Sequence, residues 1–338
     1  MKIKVGVMGF GRMGRDVVRG IFSRDDVDFE LVNINASGDL EVLAHLFKYD
    51  TVYGKFNGTV EVVEDGFLIN GKKILVTDER DPAKIPWKEM GVDIVIDSTG
   101  AFAEKEKAMM HIKSGAKKVV LTSPGKDEDI TIVMGVNDEL YDNDKHTIIS
   151  NASCTTNCLA PIAKVVLEKF GIVKGLMTTV HAYTNDQNIV DNKHRKGDLR
   201  RARAAAENII PTSTGAAKAV GKVIPELNGK LTGFAMRVPV PTGSIVDVTF
   251  ELPKEYSKEK INQAIKEAAE GPMKGILEYC EDPIVSSDII GNNAASIFDS
   301  LLTIVNGNMV KLVSWYDNEW GYAQRVIDVA EKVARELK

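Results

Sequence analysis

The chain opens with "KIKVGVMGF" (residues 2–10), a short apolar run rich in β-branched residues that predicts a strand. "GRDVVRGIFSR" (14–24) follows with apolar residues at helical spacing, and "DFELVNIN" (28–35) returns to strand character, so these segments predict one β-α-β unit. Further on, "VDIVIDST" (92–99), "AKKVVLTS" (116–123) and "HTIISNAS" (146–153) are short buried-strand runs, with the helical "AEKEKAMMHIKSG" (103–115) between the first two. Strands without a polar face, alternating with helices, predict a parallel sheet wrapped on both sides. After residue 153 the pattern changes. "TTNCLAPIAKVVLEKF" (155–170) predicts a helix despite Pro161, whereas "GIVKGLMTTVHAYT" (171–184) and "GKLTGFAMRVPVPTGSIVDVTFEL" (229–252) are longer strand runs that predict a mostly antiparallel sheet. "SKEKINQAIKEAAEG" (257–271) and "YAQRVIDVAEKVARELK" (322–338) predict amphipathic helices.

Between the first strand and the first helix, Gly9, Gly11 and Gly14 form G-F-G-R-M-G, with Arg12 and Met13 completing the loop. The first glycine allows a tight turn, the second lets a pyrophosphate approach the backbone, and the third lets helix pack on strand. The helix N-terminus then faces the anion. Glycine spacing alone is weak evidence, but here the flanking strand, helix and second strand are all present, which points to dinucleotide binding. The expected fold is therefore α/β: a Rossmann-type doubly wound parallel sheet, plus an α+β catalytic domain with a mostly antiparallel sheet.

Composition narrows the classes. With 338 residues, 44% hydrophobic and 27% charged, the chain suits two domains better than one core. A net charge of −5 gives no general attraction to nucleic acid or to an anionic membrane. No apolar run approaches the roughly 18 residues of a membrane span. The strand starting at Ile3 leaves no room for a leader, so a cytoplasmic location is expected. Three cysteines make no disulfide framework, and no metal site is expected. The basic run "KHRKGDLRRARA" (193–204) lacks the interleaved aromatics of a nucleic-acid surface.

"SNASCTTNCLAP" (150–161) sets Cys154 between a strand and a helix, with Ser153 placed to cap the helix. A thiol there feels the positive end of the helix dipole, which lowers its pKa toward thiolate at neutral pH. The competing reading is a small buried hydrophobe; this is the expectation for Cys158 and Cys280. A nucleophilic thiol needs a base. His181, in "MTTVHAYTNDQ" (177–187), ends a strand among hydroxyl and amide residues, while His45 and His111 lie in helical stretches and read as packing or surface residues.

"SCTTNCLAP", "TTVHAYTNDQ", "DLRRARAAAENIIPTSTGAAKAV", "RVPVPTGS" and "WYDNEWGY" occur in this order, within a likeness running from residue 3 to about 330. On these motifs the chain resembles the phosphorylating glyceraldehyde-3-phosphate dehydrogenases. The resemblance implies that Cys154 is the nucleophile and His181 its ion-pair partner and base, acting on glyceraldehyde 3-phosphate and inorganic phosphate through a thioester. It implies Thr184 and Arg237 for the substrate phosphate, and Ser153, Thr155, Thr214 and Gly215 for inorganic phosphate. Asn318 would orient the nicotinamide amide, with Tyr322 packed nearby. "TSTGAAKA" (212–219) favours acyl-phosphate formation over thioester hydrolysis. The basic run would cross to a neighbouring subunit of a homotetramer. Residues 1–152 and 318–338 are expected to form the dinucleotide-binding domain, and 153–317 the catalytic and tetramerisation domain.

One position departs from the NAD-specific pattern. Where those members read "IND", this chain reads "INA", with Ala36 at the tip of the second strand. The usual acid hydrogen-bonds the adenosine ribose hydroxyls and repels a 2′-phosphate. Its absence tilts the expectation toward NADP, with NAD also possible and Ser37, Lys193 and Arg80 as donors to the extra phosphate. Asp39, three residues on, is the alternative replacement acid. Other readings are an NAD-preferring glycolytic enzyme, an erythrose-4-phosphate dehydrogenase, and a cysteine redox sensor on the same scaffold.

Overall fold

The computed structural model describes residues 2–337, which divide into two compact units. Of the described residues, the first unit comprises 2–132, 138–153 and 323–337. Its strands are β1 (Ile3–Met8), β2 (Phe29–Asn35), β3 (Tyr49–Asp50), β4 (Gly54–Lys55), β5 (Val60–Val63), β6 (Gly66–Ile69), β7 (Lys72–Thr77), β8 (Ile94–Asp97), β9 (Lys118–Leu121), β10 (Ile130–Thr131) and β11 (Ile148–Ser150). All but the β3–β4 hairpin join one sheet in the order β10-β11-β9-β8-β1-β2-β7-β6-β5. From β10 to β7 every pairing is parallel; β6 and β5 extend the edge antiparallel. The order reverses between β1 and β8, which is the switch point where a doubly wound sheet opens a crevice at its carboxyl ends.

The helices α1 (Arg12–Ser23), α2 (Leu40–Lys48), α3 (Trp87–Met90) and α4 (Lys105–Lys113) connect these strands. Val5, Val7, Ile34, Ile96, Val119 and Ile149 are fully buried, as strands covered on both faces require. His111 belongs to this interior: its Nδ1 accepts from the Trp87 indole at 3.1 Å, so it is a packing residue. His45 is exposed and lies against Tyr49.

The second unit comprises residues 133–137 and 154–322. Its strands are β12 (Lys174–Ala182), β13 (Ile210–Ser213), β14 (Leu231–Val238), β15 (Ser244–Glu251), β16 (Leu277–Cys280), β17 (Ser296–Asp299), β18 (Ile304–Asn306) and β19 (Met309–Tyr316). The sheet order is β13-β14-β12-β15-β19-β17-β16, with β18 on β19. Most pairs are antiparallel, as the long strand runs implied, but β12 pairs with β14, and β16 with β17, in parallel. "GKLTGFAMRVPVPTGSIVDVTFEL" is therefore not a hairpin. β14 and β15 lie on opposite sides of β12. Helices α5 (Cys154–Phe170), α6 (Ala216–Val223) and α7 (Lys258–Glu270) cover one face, and α5 runs unbroken through Pro161. The last helix, α8 (Trp320–Leu337), has all but its first residues in the first unit. No helix of the described residues is long and apolar enough to cross a membrane.

The turn from β1 into α1 is the tightest point of the first unit. Gly9 adopts φ +91°, a left-handed conformation that suits glycine, and a Cβ on Gly14 would lie 2.1 Å from the Gly9 carbonyl oxygen. Gly14→Ala must therefore push α1 away from β1. The expected cost is about 1–3 kcal/mol, seen as a thermal midpoint lowered by several degrees together with weaker dinucleotide binding.

Candidate active site

The carboxyl ends of β1, β2, β7 and β8 enclose a groove of about 370 Å³. Gly9 and Gly11 line it, as do Ala36, Ser37 and Arg80, so the structure brings these five sequence candidates together. A Cβ on Gly11 would meet nothing within 4 Å, and Gly11 caps α1 without any side-chain bond to the helix N–H groups. This is an open cradle at a helix N-terminus, fitted to a pyrophosphate. Gly14 supports the cradle from behind, and Met13 does not line the groove. The Arg12 guanidinium is bonded to Asp50, whose carboxyl stays ionised down to about 2 although burial opposes that. The ion pair occupies the Arg12 side chain, while its backbone N–H stands in the first turn of α1. Thr99, Ala101 and Phe102 also line the groove and were not singled out from the sequence. Their signal is "STGAF" directly after β8, the strand across the switch point; Asp97 fixes that turn by accepting from the Thr99 N–H and hydroxyl.

Asn35 organises the far end. Its Nδ2 donates to Glu79 O at 2.8 Å, while its Oδ1 accepts from the Thr77 hydroxyl at 2.9 Å and Glu79 N at 3.1 Å. The tips of β2 and β7 are thereby stapled together. Asp39, the alternative acid, is spent as the N-cap of α2, accepting from Glu41 N and Val42 N.

In the second unit, α5 begins at Cys154 itself. Just before it, Ala152 is buried at φ +55°, a left-handed conformation costing an L-residue about 1–2 kcal/mol. Ser150 holds that turn, accepting from Ala152 N at 3.0 Å. The Cys154 Sγ lies 3.5 Å from His181 Nε2. His181 is near the end of β12, and the parallel register pairs it with Arg237 on β14. His181 Nδ1 is 2.7 Å from Ala182 O, and Arg237 Nη1 lies 2.8 Å from that Nδ1 and 2.9 Å from the same carbonyl. Nδ1 thus has a donor, Arg237 Nη1, and an acceptor, Ala182 O, both within reach; the tautomer in which Nδ1 donates to Ala182 O is the one that suits a base. Nε2 then points its lone pair at the thiol, the orientation of a base.

The charge state differs from the expectation of a helix-activated thiolate. Burial pushes the Cys154 thiol up; the Arg237 cation, Thr155 and backbone N–H groups pull it down without cancelling that. Burial first, and Arg237 second, hold His181 down at about 3. Desolvation of the half-exposed thiol and of the buried imidazole thus opposes an ion pair, while Arg237 favours the thiolate.

Thr184 Oγ1 is 3.5 Å from Arg237 Nη1, so the two candidates for the substrate phosphate are neighbours. Thr214 accepts from Ala216 N, and Gly215 caps α6 without a side-chain bond, leaving Gly215 exposed at a helix start. Thr155 is buried, its hydroxyl 2.8 Å from Tyr316 Oη. Ser153 stands half-buried immediately before α5. Tyr316 was not anticipated. Its Oη also lies 2.8 Å from Thr179 Oγ1, and its ring meets the His181 ring edge-on at 5.9 Å, which braces α5 against β12. Its signal lay inside the quoted "WYDNEWGY". In that motif Asn318 is buried with Oδ1 accepting from Ser244 (2.7 Å) and Thr242 (3.4 Å), and Tyr322 is buried.

Lys193 is exposed in the 183–209 loop. Part of the loop's basic run is paired within the loop: Arg195 and Arg201 share Asp186, and Arg203 pairs with Asp191. Cys158 is fully buried, with its thiol pushed up to about 12 by desolvation, whereas Cys280 is only half-buried, more open than a packing residue. Among the described residues no group of three or more His, Cys, Asp or Glu is placed to hold a metal ion.

A doubly wound sheet with a glycine cradle, and a thiol set against an imidazole, are the features of a dinucleotide-dependent oxidoreductase. Residues 3–105 match the family description "Glyceraldehyde 3-phosphate dehydrogenase, NAD binding domain", and residues 153–318 match "Glyceraldehyde 3-phosphate dehydrogenase, C-terminal domain". The chain belongs to the glyceraldehyde-3-phosphate dehydrogenase family. It is 58% identical to a glyceraldehyde-3-phosphate dehydrogenase of Streptomyces coelicolor, with 100% of both chains covered. It is also 56% identical to that of Geobacillus stearothermophilus, with 99% of both chains covered, and 53% identical to glyceraldehyde-3-phosphate dehydrogenase 2 of Bacillus subtilis, over 100% of this chain and 98% of the relative.

The charge state of the pair is open to a direct check. In the ligand-free protein, the rate of Cys154 alkylation by iodoacetamide, followed by peptide mass spectrometry, should climb with pH beyond the ordinary thiol value of about 8.5. It should show no step near 6.5, since the imidazole is already neutral there. A rate already level below pH 7 would mean a pre-formed ion pair.

Proposed function

We propose that this enzyme interconverts glyceraldehyde 3-phosphate, phosphate and NAD(P)+ with 1,3-bisphosphoglycerate and NAD(P)H through a thioester on Cys154, with NADP preferred. The observation that carries the reaction is the 3.5 Å approach of Cys154 Sγ to a base-oriented His181 Nε2 beside Arg237. A nicotinamide dinucleotide in the first unit's groove would supply the hydride acceptor. Sγ bonds to the aldehyde carbon while its proton passes to His181 Nε2 and on to the forming hydroxyl. Nε2 then takes that hydroxyl proton as hydride departs, leaving the thioester. A phosphate oxygen next attacks the thioester carbon, the C–S bond breaks, and the sulfur recovers its proton from Nε2. The Cys154 N–H, first of a helix, would hold the oxyanion together with the protonated His181.

Arg237 and Thr184 would bind the substrate phosphate, the guanidinium offering a fork of donors. Ser153, Thr155, Thr214 and Gly215 would bind inorganic phosphate, with the helix start at Gly215 favouring an anion. Asn318 has its carbonyl oxygen occupied by Ser244 and Thr242. Its amide N–H groups are therefore the side available to a nicotinamide carbonyl. On this assignment residues 1–152 and 318–338 bind the dinucleotide and 153–317 carry the catalysis.

Three features support NADP. Ala36 leaves no carboxylate at the β2 tip, Asp39 is committed to capping, and Arg80 lines the groove with no hydrogen-bond or ion-pair partner among the described residues. The exposed Lys193 would add a cation from a neighbouring subunit. A homotetramer is part of this reading, supported by exposed Ile189 (86%), Leu199 (85%) and Val190 on the same loop and by Leu176 and Phe234 on the second sheet. Three cysteines without a disulfide suit the reducing cytoplasm.

Steady-state kinetics with both dinucleotides tests the cofactor claim: kcat/KM should be higher for NADP, and a clear NAD preference would overturn it. Ala36→Asp should move the ratio toward NAD, and Lys193→Pro should weaken NADP more than NAD. Cys154→Ser should abolish phosphate-dependent aldehyde oxidation while dinucleotide binding, followed by calorimetry, persists. Turnover without phosphate would point instead to thioester hydrolysis.

A further inference from the structure

The acid missing from the tip of β2 is present one strand away, on the tip of β7. Ala36 N donates to Thr77 O at 2.8 Å, and the Asn35 amide staples Thr77 and Glu79 on either side. Asp78 is thereby held beside Ser37, and its Oδ1 accepts from the Ser37 hydroxyl at 2.7 Å. Ser37 lines the groove, and both residues are exposed. Two neighbours complete this end. Glu79 lines the groove with its Oε1 accepting from Asp81 N, Arg80 lines it without a partner among the described residues, and Asp78 stands beside the lining through its bond to Ser37. This end therefore presents two carboxylates, Asp78 tied to Ser37 and Glu79 to the Asp81 N–H, and one uncommitted guanidinium.

These groups act oppositely on the two cofactors. A carboxylate beside vicinal ribose hydroxyls accepts from them; beside a 2′-phosphate it repels a dianion. While Asp78 holds the Ser37 hydroxyl, that hydroxyl's only proton is spent, and Ser37 has none to give a phosphate. We propose that Asp78 is a specificity-determining residue that takes over, from β7, the ribose-reading role that Ala36 cannot perform. It opposes Arg80 and holds down the preference for the 2′-phosphate. The proposal rests on the reading that this groove takes NAD(P), and adds what limits the discrimination.

The test is calorimetric binding of 5′-AMP and adenosine 2′,5′-bisphosphate, which differ only by the 2′-phosphate, and of NAD and NADP, to the full-length protein. Asp78→Asn keeps an acceptor for Ser37 and removes the charge; Asp78→Ser removes the carboxylate altogether, so either variant answers if the other fails to fold. Both should raise the bisphosphate-to-monophosphate affinity ratio by roughly tenfold at low salt, the effect of one charge about 6 Å from a dianion in a water-like dielectric. The gain should shrink as salt is added. Arg80→Gln should lower the same ratio. A ratio that stays within about twofold in the Asp78 variants, or falls, overturns the proposal. The wild-type NADP-to-NAD ratio is read separately: an NAD-preferring wild type whose ratio still rises in Asp78→Asn defeats the NADP reading and leaves the role of Asp78 intact. If neither dinucleotide binds, both fall.

Discussion

The catalytic unit depends on the parallel pairing of β12 with β14. That register sets His181 against Arg237 at the same strand ends, so a neutral imidazole and a guanidinium share the carbonyl of Ala182. The imidazole is thereby oriented with Nε2 toward Sγ of Cys154. Had β14 folded back on β12 as an antiparallel hairpin, its residues would run past His181 in the reverse order. The rest of the unit serves this alignment. Tyr316 braces α5 to β12 through two threonine hydroxyls, and the left-handed Ala152 swings the chain so that Cys154 opens the helix.

Electrostatics around the thiol follow from where water is excluded. The Arg237 cation favours thiolate, whereas burial opposes charge on both the thiol and the imidazole. The same burial makes the pair responsive. One guanidinium touches the imidazole and pulls on the thiol, so Arg237 couples the two groups. In a low-dielectric site such a coupling counts for more than it would in water.

The dinucleotide groove is a second arrangement, in which the backbone supplies the anion cradle and a few side chains decide which nucleotide fits. Asn35 matters here as a staple rather than a ligand: it ties two strand tips and sets Asp78, Glu79 and Arg80 around Ser37. The polarity at position 36 is then one contribution among several, and the balance of Asp78 against Arg80 joins it.

Much of this was legible in the residues alone. Period and run length determined the first β-α-β unit, the parallel sheet and α5, because burial on two faces or on a helical face leaves a repeat in the sequence. Glycine spacing marked the cradle, since only glycine meets its sterics, and the cysteine and histidine motifs marked two residues that the fold brings to 3.5 Å of each other. The sequence could not order the strands of the second sheet, because neighbours such as β12 and β14, about fifty residues apart, are chosen by tertiary packing and leave no periodic trace. For the same reason it could not show that Arg12 pairs with Asp50, that Asp39 caps its helix and Ser37 bonds Asp78, nor that burial would push against charge on Cys154. Sequence determined which chemical groups were present and on which elements; only the folded chain decided which of them face each other and how much water remains between them.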